Sequence, residues 1–312
     1  MNYLFFVDHG SGLEFMQCSI IRDFAKEHKD DKIYITAINN YFADVIASVE
    51  PNVESINRNT IQTLFLSIMN DKDNWIIKQP EVYKTSKFML RNDNFYDCYR
   101  ELIGMKRKKD YSTKGSNYMP EALVPEAFKK AAEEFSKQHP KFIIFQRAGG
   151  INPVSPREER IRAANSKEMG LLRSYDLGKS EKLVEMLVND GYEVLQYSLP
   201  EEPKVKGCIY LQEEQNQLFY AELAKYADGI IAIDSSLMHL TINNCKKMVA
   251  IWGQSCSGDN NVIGFGYSKA INLTPKNYKP VAPYFAGLPD TPIVEFATPE
   301  EVYNAYKNSS AV

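Results

Sequence analysis

Residues 226–253, YADGIIAIDSSLMHLTINNCKKMVAIWG, constrain the fold of this chain more than any other stretch. Two apolar runs, 229–233 and 248–252, flank a segment that opens Asp234-Ser235-Ser236 and keeps helical spacing through His239 and Thr241. Two short strands joined by a helix call for parallel pairing, because a hairpin has no room for a crossover. A strand that ends in small hydroxyl residues where a helix begins leaves several backbone N–H groups directed at one point, with the positive end of the helix dipole behind them. Such a place seats a phosphate. The same residues also serve as an ordinary helix cap, and spacing alone leaves both readings open.

The same rhythm opens the chain. Residues 3–8, YLFFVD, form an apolar run, the turn His9-Gly10-Ser11-Gly12 follows at once, and Phe15, Cys18, Ile21 and Phe24 then fall on one helical face. A second strand is expected over 32–39 and a second helix over 41–49, stopped by Pro51. Between 55 and 120 the alternation dissolves into Asn-, Asp-, Lys- and Tyr-rich segments, for which irregular helices are expected. A polar amphipathic helix from Pro125 to about Gln138 is broken by His139-Pro140, and the strand KFIIFQ (141–146) restarts the pattern. The turn Arg147-Ala148-Gly149-Gly150 follows, then a helix over 179–189, strands over 191–199 and 208–212, and a helix over 215–227. The junction near residue 138 divides the chain into a domain of residues 1–138 and a second of 139–296. A closing helix within 297–312 begins at Thr298-Pro299-Glu300-Glu301, with proline and acids where a first turn favours them.

A length of 312 residues suits two such domains. No apolar run approaches the ~20 residues that cross a bilayer, and the opening MNYLFFVDHG has no basic region of the signal-peptide kind, so a cytoplasmic location is expected. Five scattered cysteines (18, 98, 208, 245, 256), with no Cys-x-x-Cys pair, point to reduced thiols. Four histidines without a ligand spacing give no sign of a metal centre, and none is expected. The net charge of -3 offers no global attraction for nucleic acid. The run 105–119, MKRKKDYSTKGSNYM, is a local exception: Lys106, Arg107, Lys108, Lys109 and Tyr111 suit a polyanion such as a phosphorylated glycan or DNA, or else form a solvated loop.

Taken together, these residues resemble the ADP-heptose-dependent heptosyltransferases and their relatives, inverting glycosyltransferases of the GT-B fold. The family pattern runs strand, Asp-Ser/Thr-Gly, His-Leu, short helix, and a second strand ending in Phe-Gly. Here those places read Ile233-Asp234-Ser235-Ser236, His239-Leu240 and Ile251-Trp252-Gly253, preceded by a helix with Leu218, Leu223 and Ala227 in similar spacing. Looser agreement comes from the first strand, turn and helix with EPNV (50–53), from FIIFQRAGG (142–150), and from Arg173-Ser174-Tyr175 in the place of a Lys-x-Trp element. The resemblance covers most of the chain and is thinnest between 55 and 135.

It implies an α/β protein of GT-B type, two Rossmann-like domains with a cleft between them. The co-substrate is a nucleotide-diphosphate sugar, with no tightly bound cofactor. Gly12, Gln146, Arg147, Arg173, Asp234, Ser235, Ser236 and His239 would hold it, and the resemblance implies transfer without a metal ion. Asp234 either orients its loop or touches the donor, and His239 either packs or contacts phosphate. Two departures stand out. Ser236 replaces the family's glycine, and the first loop has Gly12-Leu13 where the family has Gly-Asp and its catalytic base. Glu14 or Asp8 could take that role, or the base has been lost. The resemblance makes an envelope saccharide of the lipopolysaccharide-core type the default acceptor. A hydroxylated base in DNA, as used by phage-encoded glycosyltransferases, and a non-catalytic nucleotide-sugar-binding protein are the alternatives.

Overall fold

A computed structural model of the chain describes residues 1–7, 11–37, 40–57, 60–89, 93–108, 111, 124–149, 174–198, 202–211, 216–253, 267, 269–276 and 295–309. The first half opens as expected with β1 (Asn2–Val7), α1 (Ser11–Glu27), β2 (Lys32–Ala37) and α2 (Tyr41–Ala47), and continues with β3 (Val53–Ser55), α3 (Ile61–Asn70) and β4 (Trp75–Lys78). All four strands are parallel, in the order β3-β2-β1-β4. The face of α1 that the spacing selects, Phe15, Cys18, Ile21 and Phe24, is buried, and Phe24 meets Tyr3 and Phe5 of β1 edge-on. Asn40 takes a left-handed backbone (φ 52°), which asparagine tolerates better than most residues. Its side chain ties the ends of two strands together, accepting from Ala37 N at 2.7 Å and donating to Ile56 O at 2.8 Å.

The irregular helices expected over 55–120 are present as α3, α4 (Ser86–Met89) and α5 (Phe95–Leu102), but β3 at the edge of that region and β4 within it were missed. Both strands are short and only partly buried, so neither gives the continuous apolar run of a central strand.

In the second half, α6 (Glu126–Gln138) leads into β5 (Phe142–Gln146), α7 (Leu177–Asn189), β6 (Glu193–Gln196), β7 (Cys208–Ile209) and α8 (Gln217–Leu223). The chain then forms β8 (Gly229–Ile233), α9 (Ser236–Thr241), β9 (Met248–Ile251), β10 (Ala270–Leu273) and the closing helix α10 (Pro299–Asn308). The parallel sheet has the order β10-β9-β8-β5-β6-β7. Every residue of β5, β8 and β9 is buried, as strands covered on both faces must be. Alternate residues divide between two clusters: Phe142, Ile144, Ile230, Ala232, Met248 and Ala250 face α8, α9 and α1, while Ile143, Phe145, Ile231, Ile233, Val249 and Ile251 face α7 and α10. The first cluster continues without a break into Phe5, Met16 and Phe42 of the first half. Helix α6 lies on the second sheet's side, with Phe128 edge-on to Phe219 of α8 and Phe135 edge-on to Phe142 of β5.

Candidate functional site

In the second sheet, chain order reverses between β5 and β8. The helices that follow these neighbours lie on opposite faces, α7 in one apolar cluster and α9 in the other. The chain therefore diverges from their carboxyl ends and leaves a crevice, the place where sheets of this kind bind ligands. Gln146 ends β5, and Ser235 stands between β8 and α9. The buried Ser235 hydroxyl donates to Gln146 Oε1, while Gln146 Nε2 donates to Ala148 O at 2.9 Å.

That bond fixes the direction of the Ser235 hydroxyl within the Asp-Ser-Ser segment. Ser235 occupies the N-cap position of α9 with extended backbone (φ -159°), yet its side chain caps no backbone N–H. Asn94, Asp176, Asn216 and Thr298 do cap α5, α7, α8 and α10. The start of α9 is thus not closed by its own N-cap hydroxyl, as a plain structural cap would require. The Ser236 hydroxyl accepts from Gln217 Nε2 at 3.3 Å.

Across the crevice stands the start of α1. A methyl group built on Gly12 would lie 3.2 Å from both Ser236 Cα and His239 Cδ2. Glycine at 12 therefore lets the first loop's helix meet the start of α9 at backbone distance. His239 is buried, with Nδ1 2.8 Å from the Tyr267 hydroxyl and Nε2 3.9 Å from Asp234 Oδ1. The Tyr267 hydroxyl lies 2.7 Å from that of Tyr96 on α5. Burial, with the neighbouring Tyr267 and Tyr111 hydroxyls, holds Tyr96 well above the ordinary tyrosine range, so it remains a proton donor.

Arg147 is buried beside the same strand end, its Nε donating to Tyr175 O at 3.2 Å. Its own carbonyl accepts from Tyr175 N at 2.7 Å, and Ala148 bridges Ser174. The residue bonded to Arg173 is thereby held against the turn after β5; Arg173 itself lies outside the described residues, as does Asp8. Leu13 packs against the apolar core. Glu14 is fully buried and accepts from Phe42 N at 3.1 Å. Asn40, the N-cap of α2, makes no side-chain cap bond, and the Glu14 carboxylate serves that helix start instead. Desolvation raises the pKa of Glu14, the Phe42 N–H opposes the rise, and Asp44 adds to it.

Two cations of the basic run are committed within the chain. Arg107 donates to Asp93 and Glu101, and Lys108 pairs with Asp23 at 2.6 Å. Lys106 is exposed, and Lys109 lies outside the described residues. Tyr111 is buried, stacked on Tyr96 with ring centroids 4.5 Å apart and its hydroxyl 2.5 Å from Asp97 Oδ1. It presents no face for a base to stack on. Sequence reasoning missed Tyr96, Tyr267 and Gln217. Asn94 and Asp97 frame a helix start that would have located α5 and Tyr96, whereas Tyr267 carries no periodic signal. A separate open cleft of about 400 Å³ is lined by Ile77, Lys78, Glu81, Lys84 and Leu102 and shares no residue with the crevice. Among the described residues, no three His, Cys, Asp or Glu side chains gather as a metal ion would require, and no helix is long and apolar enough to cross a membrane.

No protein-family model matches the chain, and no curated protein matches it by sequence. Solved structures do. The chain is similar to a glycosyl transferase family 9 protein from Veillonella parvula (15% identity, 98% of this chain and 96% of that one, TM-score 0.61). It is also similar to the E. coli ADP-heptose LPS heptosyltransferase II (15% identity, 98% of both chains, TM-score 0.54). A third likeness is to the iron-containing dodecameric glycosyltransferase TibC from enterotoxigenic E. coli (11% identity, 90% of this chain and 64% of that one, TM-score 0.52). The chain therefore has the two-part Rossmann-like fold of these glycosyltransferases, as the sequence resemblance implied.

Proposed function

We propose that the chain transfers a sugar from a nucleotide-diphosphate sugar to an acceptor hydroxyl, with inversion at the anomeric carbon. The observation that carries this reading is the start of α9, uncapped by Ser235, at the point of the second sheet where chain order reverses, in a chain whose path follows glycosyltransferases over nearly its whole length. Residues 139–296 would hold the donor and residues 1–138 the acceptor. The donor diphosphate would lie against the first N–H groups of α9, with Ser236, His239, Arg147 and Arg173 around it. As the acceptor oxygen attacks the anomeric carbon, its proton passes to a carboxylate. The bond from that carbon to the diphosphate breaks, with its electron pair leaving on the diphosphate. In this scheme N–H and guanidinium groups carry the growing charge, so transfer proceeds in the presence of EDTA.

Asp8, bonded to Val7 at the end of β1, is the proposed base. Glu14 stands about 200° around α1 from Gly12, and its carboxylate serves α2 rather than the side facing α9. The proposed acceptor is an envelope saccharide of the lipopolysaccharide-core type. The test is to incubate the full chain with a panel of nucleotide-diphosphate sugars and core-saccharide acceptors in EDTA, reading nucleotide release and acceptor mass. One donor class is expected to be consumed, with Asp8→Asn lowering turnover by roughly 10²–10⁴-fold and Glu14→Gln by less than about tenfold. Donor binding without any turnover would favour a non-catalytic binder. Neither binding nor turnover of any donor would overturn the reading altogether.

A further inference from the structure

Three buried side chains, His239, Tyr267 and Tyr96, form one hydrogen-bonded line that begins beside Asp234 and ends on α5 of the first half. We infer that Tyr267 and Tyr96 are positioning residues that hold His239 as the Nε2–H tautomer, its proton turned toward Asp234 and the donor seat; this rests on the function proposed above.

A neutral imidazole carries one proton, and its location is set by the partner of the other nitrogen. Nε2 is the nitrogen nearer the Asp234 carboxylate, at 3.9 Å. An unprotonated Nε2 would direct its lone pair at a negative charge, whereas Nε2–H directs a positive dipole there. Nδ1 is then the acceptor, and the hydroxyl 2.8 Å away, Tyr267, is its donor. Having given its single proton to Nδ1, the Tyr267 oxygen accepts from Tyr96 at 2.7 Å. The line thus runs in one direction, Tyr96 O–H to Tyr267 O–H to His239 Nδ1. Its far end is braced: the Tyr96 ring stacks on Tyr111, and the Tyr111 hydroxyl donates to Asp97. The tautomer matters to transfer because the departing diphosphate needs an N–H donor, and the other tautomer would meet it with a lone pair. Residues of the proposed acceptor half, Tyr96 and Tyr111 beside the basic run, thereby set the state of a group in the donor half.

Four histidines make the test tractable. Long-range ¹H–¹⁵N correlation on the labelled full chain, at a pH above the ordinary histidine range, reports the tautomer of each ring, and His239→Gln assigns the fourth. The expected result is Nε2–H at His239 in the parent, with Tyr267→Phe shifting it to Nδ1–H or a mixture. Tyr96→Phe, which leaves the Tyr267 hydroxyl in place, should produce a smaller shift in the same direction. In donor turnover, Tyr267→Phe should lower kcat and kcat/KM together by about tenfold with KM unchanged, since the interaction strengthens as charge grows on the leaving group. An Nδ1–H or imidazolium His239 in the parent, or an unaltered tautomer in Tyr267→Phe, overturns the inference without any variant having to be active. The tautomer measurement needs no donor. If it follows Tyr267 while no donor is ever consumed, the proposed function fails and the positioning stands. If donor is consumed while the tautomer ignores Tyr267, the reverse holds.

Discussion

Glu14 illustrates how a residue is legible by type and not by direction. A carboxylate two residues beyond a glycine turn is a reasonable base in the sequence, but the helix turns it onto the amide of Phe42, where it is buried. Its folded pKa is raised above the ordinary 4.5, so the folded protein holds that proton more tightly than the unfolded chain does. Stability from this group is therefore full in acid and is lost as pH rises from the unfolded value through the raised folded one. Glu14→Gln keeps an acceptor for Phe42 N and removes the buried charge. Its melting temperature should exceed the parent's at neutral pH, with the advantage vanishing at pH values below the unfolded carboxylate's pKa. The thiols allow a second check. Burial pushes Cys98 up to about 11 and Cys208 and Cys245 to about 12, so little reactive thiolate forms at neutral pH. Alkylation followed by peptide mass spectrometry should find these three protected in the native protein and labelled once it is unfolded. Reduced thiols were readable from cysteine number and spacing, whereas their inertness depends on neighbours distant in sequence.

At the scale of elements, the closing helix is the best-read feature. Thr298 and Glu301 form the reciprocal cap that their spacing announces, with Thr298 N donating to Glu301 Oε2 at 2.7 Å and Glu301 N to Thr298 Oγ1 at 3.2 Å. Where that helix docks was not written locally. Tyr306 covers Gly229 at the start of β8, and Lys247 Nζ lies 3.9 Å from its ring centre. A methyl group on Gly229 would come within 2.7 Å of the Tyr306 ring, so Gly229→Ala should lower stability by about 1–3 kcal/mol, read as a fall in melting temperature. Gly12→Ala meets backbone at Ser236 as well as a side chain, both at 3.2 Å, so a smaller destabilisation than that of Gly229→Ala is expected. It should also weaken donor binding in a titration, because α1 and α9 must move apart by a few tenths of an ångström. The contrast between β8 and β4 has a simple cause. A strand buried on both faces writes five apolar residues in a row, whereas WIIK at the edge of the first sheet writes four residues bounded by charge and is marked as a strand only by its pairing with β1.

At the scale of the whole molecule, one apolar cluster joins the two sheets, through α1 against α9. Heat or denaturant should therefore unfold the chain in one transition, and fragments 1–138 and 139–312 should fail to fold separately; two resolved transitions by calorimetry would contradict this. The boundary near residue 138, read from His139-Pro140, remains a proposal, and α6 just before it packs on the second sheet. With net charge -3 and Arg107 and Lys108 held in ion pairs, the chain should not be retained on duplex DNA at physiological ionic strength, and Lys106→Ala should change nothing there. What the sequence determined by itself is local or periodic: the parallel alternation, the helix starts, and the Asp-Ser-Ser segment at the end of a strand, because each is set by a residue and its near neighbours. Only the tertiary structure decided that the Ser235 hydroxyl turns to Gln146 rather than to the start of α9, that Glu14 faces α2, and that Tyr96 and Tyr267 meet behind His239. Those outcomes depend on which groups come within hydrogen-bonding distance across 28 to 171 residues of chain: neighbouring strands of one sheet bring Ser235 to Gln146, α1 against α2 brings Glu14 to Phe42, and contact between the two halves brings Tyr96 to Tyr267.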